Sequence, residues 1–229
     1  MASTPATAAD DEYKTRWATL SEARRNAEKS RYGMVLYFPP LAALDSVHKI
    51  FKEEELASQS LKSPMVRVQD KPEHKKTREK YEISGKYYEV VVTDYFGNPM
   101  AKPFKVKSES QKISTDQIIK LIRTADNYVD QMRVVYEKKI EKAERAFERE
   151  KWKSALKEYL PIAEFQGLKV SERARKRVAE IVEAGKKELA AAKKLEANDA
   201  KKALKKIARE FSGCEVEQLA EAALEKLES

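Results

Sequence analysis

The 229-residue chain contains one cysteine, Cys214, with six glycines and eight prolines. A single cysteine excludes an intramolecular disulfide, a CxxC redox pair and a multi-cysteine zinc site. There are two histidines, His48 and His74. Each reads as a surface or capping residue rather than as a metal ligand or catalyst. No apolar run approaches the roughly 20 residues of a membrane-spanning helix, so no membrane span is expected. The sequence has no Gly-rich phosphate loop, metal-ligand cluster, nucleophile elbow or recognisable triad. No cofactor is therefore expected, and the chain does not read as an enzyme. Residues 1–12 are small, polar and acidic, without the basic and apolar regions of a signal peptide. They read as a disordered tail, and the chain as written as cytoplasmic. A removed signal would leave a similar tail, which keeps a periplasmic or secreted protein open.

Charge is plentiful, at 37% of residues with a net +8. Residues 131–229 hold 24 Lys and Arg against 19 Asp and Glu, and the first 130 hold 22 against 19. The excess is spread along the chain, whereas a nucleic-acid footprint gathers on one face or in one tract. The nearest approach to a tract is Lys201, Lys202, Lys205, Lys206 and Arg209.

In chain order, Tyr13 to Ser30 places Trp17, Leu20, Ala23 and Ala27 at helical spacing, and Gly33 ends that helix. Met34 to Phe38 is a continuous apolar run that suits a buried central strand, closed by Pro39 and Pro40. Leu41 to Leu61 follows with Val47, Ile50, Phe51 and Leu56 on one side, and the regular helix is expected to start near Asp45 and Ser46. Asp45 and Ser46 are its candidate N-caps. Met65 to Gln69 is a short strand. Asp70 and Pro72 open a third helix that runs through Lys80. Within Ile83 to Pro99, the Tyr and Val run that follows Gly85 reads as a strand, Gly97-Asn98-Pro99 reverses the chain, and Lys102 to Lys107 returns as an edge strand. Ser114 caps either one helix over 115–149 or two with a slight break. A strand–helix–strand order implies a parallel right-handed crossover, and the hairpin adds antiparallel strands.

This order resembles a thioredoxin-like domain over residues 13–125. It is most similar to the bacterial group with an extra N-terminal helix. The residues that carry the resemblance are Trp17 to Phe38, Ile50-Phe51 with Glu54-Glu55-Leu56, and Val66 to Asp70. They continue through Tyr81 to Gly85, Val90 to Val92 and Asp94 to Gly97. The resemblance implies an α/β fold, a mixed sheet with flanking helices. The departures fall on the family's site. Where the family carries Trp-Cys-x-x-Cys, Phe38 is followed by Pro39-Pro40-Leu41-Ala42-Ala43-Leu44-Asp45. Where its cis-proline lies, Lys86, Tyr87 and Tyr88 stand. Dithiol exchange needs a low-pKa thiolate and a resolving thiol, and this domain has neither. Neighbours in a strand point to opposite faces, so one reading makes one of Tyr87 and Tyr88 core and the other surface. The second reading joins both to Pro39, Pro40 and Leu41 as an apolar groove for a peptide.

Residues 126–229 read as all helix, near 136–149, 151–165, 171–195, 198–211 and 215–228. Ala143, Phe147, Trp152, Ala155, Leu156 and Tyr159 are similar to one tetratricopeptide helix pair. The pattern returns 48 residues on at Ala191, Leu195, Ala200, Ala203, Leu204 and Ile207. Glu164 to Gly167 and Val170 return 46 residues on as Glu210 to Gly213 and Val216. Gly167 and Gly213 are the expected helix-ending glycines. The period exceeds the about 34 residues of a standard tetratricopeptide, so the array is a divergent one. Glu141 with Arg145, Glu172 with Lys176 and Glu183 with Lys187 are i,i+4 pairs. Cys214 reads either as a small apolar residue at a helix junction or as a thiol activated by a helix N-terminus, which Glu215 and Glu217 oppose.

The expected function is that of a non-catalytic binding protein, chaperone-like or scaffold, whose partners are other proteins or unfolded polypeptides. The alternative is a basic helical protein associated with nucleic acid or the ribosome.

Overall fold

In the computed structural model, which describes residues 15–45 and 47–228, the run Met34–Phe38 becomes strand β1 and is buried at all five positions. Burial on both sides is what a continuous apolar run demands. β1 pairs in parallel with β2, Met65–Arg67, and antiparallel with β3, Tyr88–Thr93. β4, Phe104–Val106, pairs antiparallel with the far side of β3, so the sheet order is β2-β1-β3-β4. This is the mixed sheet expected from the sequence.

Alternation along β1 sends Val35 and Tyr37 to one face and Phe38 to the other. On the first face, Val35, Tyr37, Val90 and Val92 pack with Phe51, Leu56, Ile118 and Ile122. Helices α2 (Glu54–Gln59) and α4 (Thr115–Arg123) bring Leu56 and the two isoleucines there. On the second face, the Phe38 ring lies 6.3 Å from that of Tyr81, the residue that ends α3, Lys75–Lys80. The hairpin turn is built on Asp94, which is fully buried. Its carboxylate accepts the backbone N–H groups of Phe96 (2.9 Å) and Asn98 (2.8 Å) and the Asn98 side-chain amide (2.7 Å). Gly97 supplies the turn's positive φ of 82°.

Several elements differ from expectation. Helix α1 is Leu20–Ser30, so residues 15–19 of the expected helix lie before it, and 13 and 14 are outside the described residues. Thr19 and Glu22 form a reciprocal capping box that fixes the start. Trp17 lies before it, bridged to Met65 at the β2 edge, with its ring 4.9 Å from Phe51. Arg31, at φ 57°, ends α1. Gly33 serves a different purpose, since an added Cβ would stand 2.6 Å from the Thr93 carbonyl oxygen. The regular helix expected from Asp45 and Ser46 to Leu61 is instead a 3-10 turn at Lys49–Lys52 followed by the short α2, with a further 3-10 turn at Leu41–Ala43 ahead of it. His48, not Asp45, caps the Lys49–Lys52 turn, and Ser46 lies outside the described residues. The tail at 1–12 also lies outside them.

His48 is fully buried. Its Nδ1 accepts the Ile50 N–H at 3.3 Å, so Nε2 carries the proton and donates to the Gln111 carbonyl at 3.1 Å. Burial pushes its pKa below the usual histidine value, and nearby carbonyls and Glu109 offset this in part. The fold therefore holds the neutral ring. The unfolded chain takes up a proton near pH 6.5 first, so stability is full above about 6.5 and declines as pH falls through the folded pKa. Urea midpoints are expected to be lower at pH 5.5 than at pH 7.5. His48→Asn, which keeps a capping oxygen, is expected to flatten that difference. An equal slope in both proteins contradicts the assignment.

The chain divides into two compact units between Asp130 and Gln131, and α5, Ala125–Phe147, runs across the division. Thr124 separates α4 from α5, so the stretch over 115–149 is two helices. The second unit continues with α6 (Trp152–Glu164), α7 (Lys169–Ala192), α8 (Ala197–Glu210) and α9 (Glu215–Glu228). α6 packs on α7, α8 packs on α9, and α7 also meets α8 and α9. Gly167 and Gly213 have φ of 86° and 91°, but each stands two residues past the C-cap, Phe165 or Phe211, so the glycines shape the turns to the next helix and do not end α6 or α8 themselves. Glu141 pairs with Arg145 at 3.9 Å, while Glu183 reaches Lys186 rather than Lys187. These exposed pairs are worth a few tenths of a kcal/mol.

Candidate binding site at the carboxyl end of the first strand

In open α/β sheets ligands bind beyond the carboxyl ends of the strands. Here the chain leaves β1 through Pro39 and Pro40, both buried, and emerges at Leu41, which is 49% exposed. The Leu41 N–H donates to the Gly85 carbonyl at 2.8 Å, which ties this loop to the turn before β3. Gly85 has φ 71°, and an added Cβ would lie 2.9 Å from Leu41 Cγ and 3.3 Å from Arg78 Nη2. Only glycine meets both demands.

Beneath that contact lie two buried charges. Glu89 on β3 is fully buried and sits between Phe38 and Lys105 in the sheet register. Its Oε2 accepts the backbone N–H groups of Ser84 (3.0 Å) and Gly85 (3.4 Å), and its Oε1 is 3.0 Å from the Lys105 ammonium. Arg78 lies over the Phe38 ring at 5.8 Å, with Nε 3.6 Å from Asp70. Its Nη1 and Nη2 are buried with no hydrogen-bond partner among the described residues. Leaving such donors unpaired costs about 1–3 kcal/mol each.

Tyr88 turns into the core, its ring 5.6 Å from His48 and its hydroxyl donating to Glu109 at 3.3 Å. Tyr87 is half-buried. The structure thus joins Pro40-Leu41 to Gly85, two residues before Tyr87, and sends Tyr88 to the opposite side of the strand. Sequence reasoning missed Arg78, Ser84, Gly85 and Glu89. A charged residue inside an otherwise apolar strand was the available signal for Glu89.

The Cys214 thiol lies in the second unit and donates to the Phe211 carbonyl at 3.1 Å. Burial pushes its pKa up, against the pull of the Val216 and Glu217 N–H groups. Among the described residues no group of His, Cys, Asp and Glu could hold a metal ion, and no helix is long and apolar enough to cross a membrane.

A second concave surface in the first unit is a polar groove of about 800 Å³. Arg16, Arg25, Lys29 and Lys62 line it around a single acid, Glu22. Arg25 and Lys29 lie on α1 and Arg16 just before it, and the fold brings Lys62 to them from beyond α2.

No family model matches the chain, and no curated protein matches it. Among solved structures it is similar to one described as "DsbH Oxidoreductase", at 14% identity and a TM-score of 0.36, over 50% of this chain and 85% of that one. A likeness that slight does not define a fold.

Proposed function

We propose that the chain is a non-catalytic, thioredoxin-like protein that binds polypeptide at the carboxyl end of β1, joined to a divergent tetratricopeptide-like helical unit. Its role is that of a chaperone-like or scaffold module. The order of a parallel βαβ unit, an antiparallel hairpin and a closing helix supports the first part. The observation that carries the binding role is Leu41, half-exposed and held in place by its own N–H on Gly85. It stands where the family's redox pair would lie, with no thiol in that unit. An apolar side chain of a client would cover Leu41.

The test is titration of the full chain with a permanently unfolded polypeptide, reduced and carboxymethylated α-lactalbumin. Wild type is expected to bind without reducing insulin disulfides. Leu41→Asp is expected to weaken binding about tenfold, the equivalent of one apolar side chain, with no change in unfolding midpoint. No binding, or binding that Leu41→Asp leaves intact, overturns the reading.

The polar groove favours a second reading, association with nucleic acid. The same titration with a single-stranded RNA oligonucleotide separates the two. Binding that falls steeply with salt and is lost in Arg25→Glu with Lys29→Glu would select it.

A further inference from the structure

The two copies of the helical repeat differ most in side-chain size. At spacings of 46 to 48 residues, Phe147 corresponds to Leu195, Trp152 to Ala200 and Arg177 to Ala223. In the first copy these three residues fill the notch between helices. The Trp152 ring is 5.6 Å from Phe147 and 6.4 Å from the buried ring of Phe211. The Arg177 guanidinium lies 4.4 Å over the Phe147 ring, with Glu144 at 3.2 Å and Glu180 at 2.6 Å.

In the second copy the smaller residues leave a groove of about 390 Å³. Its apolar lining includes Leu195, Leu204, Leu219, Ala223 and Leu227. Leu195, Leu219 and Leu227 are 50%, 43% and 47% exposed. On α9, positions 219, 223 and 227 recur every four residues, so they form one stripe. The acids of the first copy are gone as well, since Glu144 corresponds to Ala192 and Glu180 to Lys226. The charged residues that line the groove, Lys193 and Lys226, are both cationic.

We propose that this groove docks an amphipathic helix of a partner protein, apolar on one face and acidic along its flanks. The apolar face takes up the volume that Phe147, Trp152 and Arg177 fill in the first copy. The flanking carboxylates face Lys193 and Lys226. An amphipathic helix laid in an apolar groove is a recurrent mode of recognition, read as anchors at i, i+3, i+4 and i+7. The groove is distinct from the surface around Leu41 and stands whether or not that surface binds polypeptide.

The test uses the full chain and a labelled helical peptide of about 18 residues, five turns, with leucines on one face and glutamates on the flanks. A second peptide carries lysines in place of the glutamates. Fluorescence anisotropy is expected to show the glutamate peptide binding at least about tenfold tighter, roughly 1.4 kcal/mol. Lys193→Glu with Lys226→Glu is expected to reverse the preference. Ala200→Trp, which rebuilds the first copy's plug, is expected to abolish binding. Ala223→Arg, which lies on the groove wall, serves as a second blocking variant, with circular dichroism checking that each variant folds. Absence of binding, equal binding of both peptides, or binding that survives both blocking variants overturns the proposal. So does sedimentation showing a dimer that Leu219→Glu dissociates, because the occupant is then a second copy of the chain.

Discussion

Phe211→Ala is expected to lower the stability of the helical unit by about 4 kcal/mol, within the range for emptying a buried aromatic site. Phe211 is fully buried, stacks on Trp152 at 6.4 Å and seats against Gly185 of α7. An added Cβ at Gly185 would lie 2.8 Å from two Phe211 ring atoms and 2.9 Å from Val216 Cγ1. A glycine inside a helix costs roughly 0.5–1 kcal/mol relative to alanine. Here the close approach of the ring outweighs that cost. The two positions are therefore coupled. Gly185→Ala alone is expected to destabilise, despite its better helix propensity. In the Phe211→Ala background the same change is expected to cost less, because the overlap with the ring is relieved and only that with Val216 remains. Guanidinium chloride unfolding of the four proteins in a double-mutant cycle measures this. Additive effects of the two substitutions contradict the packing described.

Gly33→Ala is expected to cost about 3 kcal/mol in the first unit, near the upper end for overpacking. The new methyl would stand 2.6 Å from the Thr93 carbonyl oxygen and 3.1 Å from the Ile122 Cα. Both are backbone atoms, one on β3 and one on α4, so no rotamer change can make room. The Gly33 N–H also donates to the Ile122 carbonyl at 3.1 Å, and pushing α4 away strains that bond. Gly33 is not among the glycines with positive φ, so the cost is one of contact and not of backbone conformation. The measurement is the unfolding midpoint at unchanged m-value. A loss below about 1 kcal/mol means that sheet and helix have room the structure does not show.

Some features were legible in the residues alone. Met34 to Phe38 could only be a strand buried on both sides, because it has no polar alternation to give a wet face. The hairpin at Gly97-Asn98 and the N-cap at Ser114 depend on contacts within a few residues, as does the positive φ of Gly167 and Gly213, although these two lie in the turns beyond the helix ends at Phe165 and Phe211. The regular helix expected from Asp45 and Ser46 to Leu61 is broken for a tertiary reason. His48 caps a new turn while buried under Tyr88 and bonded to Gln111, 63 residues away. Trp17 had helical spacing, yet it pairs beside β2 instead, because Thr19 and Glu22 close the helix start behind it.

By itself the sequence determined the order of the elements, the absence of a dithiol and the helical second half. Each of these follows from local periodicity, local turn chemistry or a count of residue types. Only the tertiary structure decided which side chains meet. It set Leu41 on Gly85 over the buried Arg78 and Glu89, and brought Lys62 to the groove beside Arg16, Arg25 and Lys29. It also left the second helical notch open where the first is filled. Such juxtapositions depend on strand register and helix packing between distant segments, and a periodicity read along one segment carries no information about its neighbour.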